Sequence, residues 1–217
     1  MNQGFSAWKV GAPYYLPPLA LGLILAAPPW TPWVRILGLV LMVAGLYVLY
    51  FFRDPPRRAP EDALVLAAPA DGKVAAVEEL EETPHYEGPC ARISIFLSIF
   101  NVHVNRAPAA AVVEDIAYKP GLFLNAMNPQ SGEVNEANTI RMRTEHGPVT
   151  VRQISGLIAR RIVCAVELGD SLEKGAKIGM IKFGSRTELY LPPGTEILVE
   201  TGAKVAGGAT AVARFRR

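Results

Sequence analysis

TIRMRTEHGPVTVRQI, residues 139–154, is the stretch that decides the fold class. Its first arm alternates through Thr139, Ile140, Arg141, Met142 and Arg143, and its second through Val149, Thr150, Val151, Arg152, Gln153 and Ile154. Period-two alternation sends one set of side chains to a buried face and the other to a polar face, which marks half-buried strands. Glu145-His146-Gly147-Pro148 between the arms reads as a hairpin turn. The same grammar repeats outward from the hairpin, with short apolar or β-branched runs at residues 72–77, 90–98, 111–118, 162–166, 178–183, 187–191 and 196–200. Long amphipathic helical patterns are missing from this region, so it reads as mainly β, a barrel- or sandwich-like domain. Residues 125–138, poor in apolar side chains, read as a long loop, and residues 155–159 as a short helical turn or bulge. Late in the chain, GDSLEKGAKIG (169–179) is partly echoed by VETGAKVA (199–206).

That echo resembles the turns of lipoyl and biotinyl carrier domains, which implies a lipoyl-type β barrel. The N-terminus is of another kind. WVRILGLVLMVAGLYVLYFF, residues 33–52, carries one charge, Arg35, and about 20 apolar residues suffice to cross a bilayer as a helix. Residues 14–27 are also apolar but shorter, and Pro17 and Pro18 interrupt them. With the Pro/Trp-rich turn at 28–33 suited to the interface, the two segments predict an N-terminal membrane helical hairpin, the first arm a tilted span or a re-entrant half. Residues 1–58 are then anchor plus the linker that starts at Arg53, and residues 59–217 a soluble domain. Lys9 alone is too weak an n-region for a cleaved signal peptide. Arg53, Arg57 and Arg58 outnumber Arg35 at the other end, so the domain is expected on the cytoplasmic side of the inner cell membrane.

A net charge of +2 over 217 residues, with no basic arm, argues against a nucleic-acid partner. Cys90 and Cys164 lie in or beside apolar runs and read as buried reduced thiols. The three histidines have no ligand-like spacing, so no metal is expected.

Chemistry centres on Phe183-Gly184-Ser185-Arg186. A Gly-Ser pair between strands is ordinarily a plain turn. As a nucleophile, Ser185 would need a base. Lys182 offers a Ser/Lys hydrolase reading, although residues three apart on a strand face opposite ways. Asp71 in PADG (69–72) reads as a turn aspartate, and His103 in FNVHVNRAP (100–108) as a histidine in a strand-like setting. His85 and His146 sit in polar turns and read as exposed and idle.

Taken in chain order, the apolar N-terminus, PADG, FNVHVNRAP, NEAN (135–138), QISG (153–156), ARRI (159–162) and FGSR resemble the phosphatidylserine decarboxylases in their short form. The resemblance covers residues 55–217. It implies that the Ser185 hydroxyl attacks the Gly184 carbonyl, that an N-to-O acyl shift gives an ester, and that β-elimination splits the chain. The dehydroalanine left at 185 then hydrolyses to a pyruvoyl group, the cofactor. The products are a large chain, 1–184, and a small one, 185–217. The pyruvoyl ketone forms a Schiff base with the serine amine of phosphatidylserine and takes up the electrons released with CO2, giving phosphatidylethanolamine. By the same resemblance His103 is the proton carrier, Asp71 orients or charges it, and Arg106, Arg160 and Arg161 hold the anionic headgroup. Longer-form members have a second histidine three residues before the first, where this chain has Phe100, so His103 acts alone. They usually have Thr after the serine, where this chain has Arg186. The competing readings are a membrane-anchored lipoyl-like binding module and the Ser/Lys hydrolase. A homo-oligomer stays open.

Overall fold

The computed structural model describes residues 5–125, 128, 130–156, 161–182 and 185–216, which fall into two compact units, residues 6–55 and 56–217. The first unit is a pair of helices, α1 (Ala7–Ala26) and α2 (Pro32–Phe51). They approach closely through glycine. A Cβ placed on Gly22 would stand 2.8 Å from the Gly38 carbonyl oxygen, and one on Gly38 only 2.5 Å from the Ala26 nitrogen. Small residues at such crossings let two backbones touch. Pro13, Pro17 and Pro18 lie inside α1, which corrects the expected interruption at 17 and 18. Among the described residues, α2 is the one helix long and apolar enough to cross a membrane.

The second unit is mainly β. Its strands are β1 (Val65–Ala67), β2 (Gly72–Leu80), β3 (Cys90–Leu97), β4 (Val104–Arg106), β5 (Ala111–Lys119), β6 (Ala137–Thr144), β7 (Gly147–Ser155), β8 (Ile162–Cys164), β9 (Ser171–Leu172), β10 (Lys177–Ile181), β11 (Ser185–Leu191), β12 (Glu196–Ile197), β13 (Lys204–Val205) and β14 (Ala211–Arg214). An eight-stranded antiparallel sheet runs in the order β13-β2-β3-β11-β7-β6-β5-β9 and does not close on itself. Two three-stranded sheets, β1-β14-β12 and β4-β10-β8, accompany it. The core lies between them: Ile93, Ile95, Val151 and Leu189 from the large sheet pack with Leu66, Val212 and Ile178 from the small ones. Burying such side chains contributes about 1.5–3 kcal/mol each.

The hairpin of 139–154 forms as read, with Thr144 opposite Gly147 at its turn. Sequence patterning missed β1, β4, β9, β13 and β14, which are two to four residues long and too short to show a period. The 125–138 loop is also corrected. It contains a short helix, α3 (Ser131–Val134), and its last residues open β6. The expected turn at 155–159 lies largely outside the described residues. Cys90 is buried, but Cys164 is exposed, because β8 is a short edge strand of its sheet. Both thiols are free.

Candidate active site

β11 is the central element. It is hydrogen-bonded on both sides, with Ser185 opposite Leu97 of β3 and opposite Ser155 of β7. Alternation sends Ser185, Thr187, Leu189 and Leu191 to the core side and Arg186, Glu188 and Tyr190 to the other. Ser185 is fully buried, and its Oγ has no hydrogen-bond partner. Directly across the ladder, the Oγ of Ser155 is also buried and unpartnered. Two orphan hydroxyls facing one another are costly, since each forgoes its bonds to water. Sequence reading missed Ser155, whose only signal was its place in QISG.

NEAN explains how that end of β7 is held. The Asn135 side-chain amide donates to the Ser155 and Leu124 carbonyls, 2.8 Å each, and its Oδ1 accepts from the Leu124 N–H at 2.8 Å. The Glu136 carbonyl accepts the Ser155 N–H at 2.9 Å. Next to the two serines a buried amide chain crosses the interior. Asn138 donates to Gln153 Oε1 (3.0 Å), Gln153 to Asn105 Oδ1 (2.9 Å), and Asn105 to Thr187 Oγ1 (3.0 Å). A satisfied buried network of this kind holds its members in one arrangement.

His103 is fully buried just before β4. Its carbonyl accepts the Ile181 N–H at 3.2 Å at the end of β10. Its Nδ1 lies 2.9 Å from the Asn101 carbonyl, so the Nδ1–H tautomer donates there and Nε2 is left as the proton-accepting nitrogen. Asn105, two residues further on, donates its amide to Thr187 Oγ1, two residues from Ser185.

Asp71 is not part of this hydrogen-bonded group. Its Oδ2 pairs with Arg57 at 2.8 Å and its Oδ1 accepts the Gly207 N–H at 2.8 Å. Both carboxylate oxygens are thus engaged, by Arg57 and by the Gly207 N–H. Arg106 is buried on β4, its Nη1 donating to the Gly175 carbonyl at 3.0 Å, so its guanidinium holds an internal turn. Arg161 is exposed, and its carbonyl accepts the Lys182 N–H at 3.3 Å. Lys182 itself is buried beyond the end of β10. Gly184 and Arg160 lie outside the described residues. No cluster of metal-binding side chains exists among the described residues.

The opposite face of β11 carries a charged group that the sequence did not announce. Glu188, 2 % exposed, lies 3.2 Å from Arg186 Nε, 3.3 Å from Arg152 Nη1 and 3.8 Å from Arg92 Nη1. Tyr190 donates its hydroxyl to Glu188 Oε2 at 2.6 Å. Burial pushes the Glu188 carboxyl up, but Arg186, the Tyr190 hydroxyl, Arg152 and Arg92 together outweigh it and hold the group below its ordinary range. His85 is half-buried over this face, its ring 5.9 Å from that of Tyr190. Burial and the nearby Arg152 lower its pKa to about 4. His85 is thus not exposed, which corrects the sequence reading of an exposed turn residue. His146 is exposed as expected, against Phe215.

Removing one partner of a buried ion group leaves the others uncompensated. Glu188→Gln is therefore expected to destabilise the fold by about 3–5 kcal/mol, read as a lower thermal midpoint in detergent. A midpoint within a degree of wild type would show that the arginines are solvated rather than held by Glu188.

Residues 45–213 match the family model for phosphatidylserine decarboxylase. The chain is 49% identical over 181 residues to the phosphatidylserine decarboxylase proenzyme of Carboxydothermus hydrogenoformans, covering 83% of this chain and 85% of that one. It is 45% identical over 211 residues to the proenzyme of the same name from Gluconobacter oxydans, covering 95% and 93%. The corresponding proenzyme of Gluconacetobacter diazotrophicus is 46% identical over 207 residues, covering 94% and 92%. The chain belongs to the phosphatidylserine decarboxylase family.

Proposed function

We propose that this protein decarboxylates phosphatidylserine to phosphatidylethanolamine, using a pyruvoyl group made from its own Ser185. The observation that carries the reading is the Ser185 hydroxyl, fully buried without a partner on the core side of β11, in a chain whose relatives are named as proenzymes. A buried hydroxyl unencumbered by hydrogen bonds suits attack on the neighbouring Gly184 carbonyl, with the acyl shift and elimination opening the chain between 184 and 185. His103 Nε2 is the proton carrier, since an imidazole changes charge near neutral pH. Once formed, the pyruvoyl ketone supplies an electron sink for the carbanion left when CO2 departs. Ser155, opposite position 185, has a hydroxyl to donate to that position before and after processing. Arg160 and Arg161 are the headgroup contacts in this reading, as cationic forks suited to phosphate and carboxylate. The repeated turns at 169–179 and 199–206 belong to a lipoyl-type scaffold.

The small chain, 185–217, would stay attached after cleavage. It comprises β11 to β14, and these pair with β3, β7, β2 and β1 of the large chain. α1 and α2 form the membrane anchor, with the β domain on the cytoplasmic side of the cell membrane, where the headgroups are. The test is direct. Purified protein in mixed micelles should convert phosphatidylserine to phosphatidylethanolamine with release of CO2, and borohydride with the substrate should trap lipid on the small chain. A cleaved, folded protein that forms no phosphatidylethanolamine would refute the reading.

A further inference from the structure

The arginine face of β11 borders a cavity of about 480 Å³ on the side of the sheet away from the Ser185 hydroxyl. Arg92, Arg152 and Arg186 project into it from three neighbouring strands, β3, β7 and β11, with Ser94 and His85 at its walls. Three guanidiniums share the wall with three carboxylates: the buried Glu188, the rim residue Glu78, which Arg92 engages in a hydrogen-bonded pair, and Glu133. Glu133 lies exposed at the lip. The arginines are not satisfied by these partners. Arg152 is 2 % exposed, and its Nη1 and Nη2 are bonded to Glu188 and the Gly132 carbonyl, but its Nε–H has no partner. Arg186 Nε is also buried without a hydrogen bond, close to Glu188 but not aligned with it. Burial and the neighbouring Arg92 and Arg152 pull the Arg186 guanidinium below its ordinary range, against the pull of Glu188. Unpaired N–H groups on buried guanidiniums in a chamber large enough for several heavy atoms define a place for an oxyanion.

We propose that this cavity is a binding site for a phosphate group, separate from the position of Ser185. The planar carboxylate place among the arginines is already taken by Glu188. Donors converging from three strands suit a tetrahedral oxyanion, which accepts from several directions at once. The chemistry fits free phosphate and the phosphodiester of an anionic lipid equally, and one measurement separates them. His85 forms part of the cavity wall, so its imidazole reports on an anion arriving there.

The experiment uses the full-length protein in neutral detergent with 13C-labelled histidine. Sodium phosphate is titrated against sodium chloride of matched ionic strength, and in a parallel arm short-chain phosphatidylglycerol is titrated against phosphatidylcholine. The His85 signal, identified by its loss in His85→Gln, should move saturably while that of exposed His146 stays still. Movement with inorganic phosphate assigns the site to free phosphate; movement with phosphatidylglycerol alone assigns it to a lipid headgroup. Arg186→Gln should weaken the response about tenfold or more, because a charge-assisted contact is lost. A His85 signal unmoved in both arms overturns the proposal, and so does a response of wild-type affinity in Arg186→Gln. The wild-type titration decides the matter even where the variant fails to fold.

Discussion

Ser185→Ala is expected to leave one uncleaved and inactive chain, where the wild type should run on a denaturing gel as a large chain and a 33-residue small chain, 185–217. The reason is chemical: alanine has no oxygen to accept the acyl group, so the elimination that opens the chain has no ester to start from. Folding should survive. The site is a strand position bonded through its backbone to β3 and β7, and alanine removes a hydroxyl that has no partner to lose. A normal thermal midpoint together with a single full-length band in intact-mass analysis is the expected outcome. Two fragments of unchanged mass from Ser185→Ala would show that cleavage begins elsewhere and remove the cofactor assignment.

The second large effect falls on His103. His103→Ala should lower turnover by about 10²–10⁴-fold, the usual contribution of a positioned proton carrier, and slow self-cleavage as well. His146→Ala is the matched control, because its side chain is exposed against Phe215 and away from the interior. Phe100→His should not rescue His103→Ala. Phe100 is 64% exposed while His103 is fully buried, so an imidazole at 100 would not occupy the same interior. Near-normal cleavage and turnover in His103→Ala would take His103 out of the mechanism. Asp71, held by Arg57 and the Gly207 N–H, or the substrate itself would then carry the proton, and Asp71→Asn would separate the two.

Alternation in residues 139–154 sufficed for the hairpin, and the long apolar run at 33–52 sufficed for α2, because both signals are local and repeat over many residues. The family was legible for a related reason: it rests on short motifs whose order along the chain is itself information. What the sequence could not supply was register. Ser155 meets Ser185, Asn105 meets Thr187 and Arg152 meets Glu188 only because β7, β11 and β4 come together from distant parts of the chain. No pattern within a strand states its partner. For the same cause His85 read as exposed and Cys164 as buried, where the fold half-buries the one and exposes the other. Each was judged from its sequence neighbours, whereas burial and pairing are fixed by what packs across from them. The sequence by itself determined a mainly β domain, an apolar N-terminal helix, the family and a set of candidate residues. Tertiary structure decided which of those residues meet, since side-chain contacts between strands depend on pairing geometry that the local period of the chain does not encode.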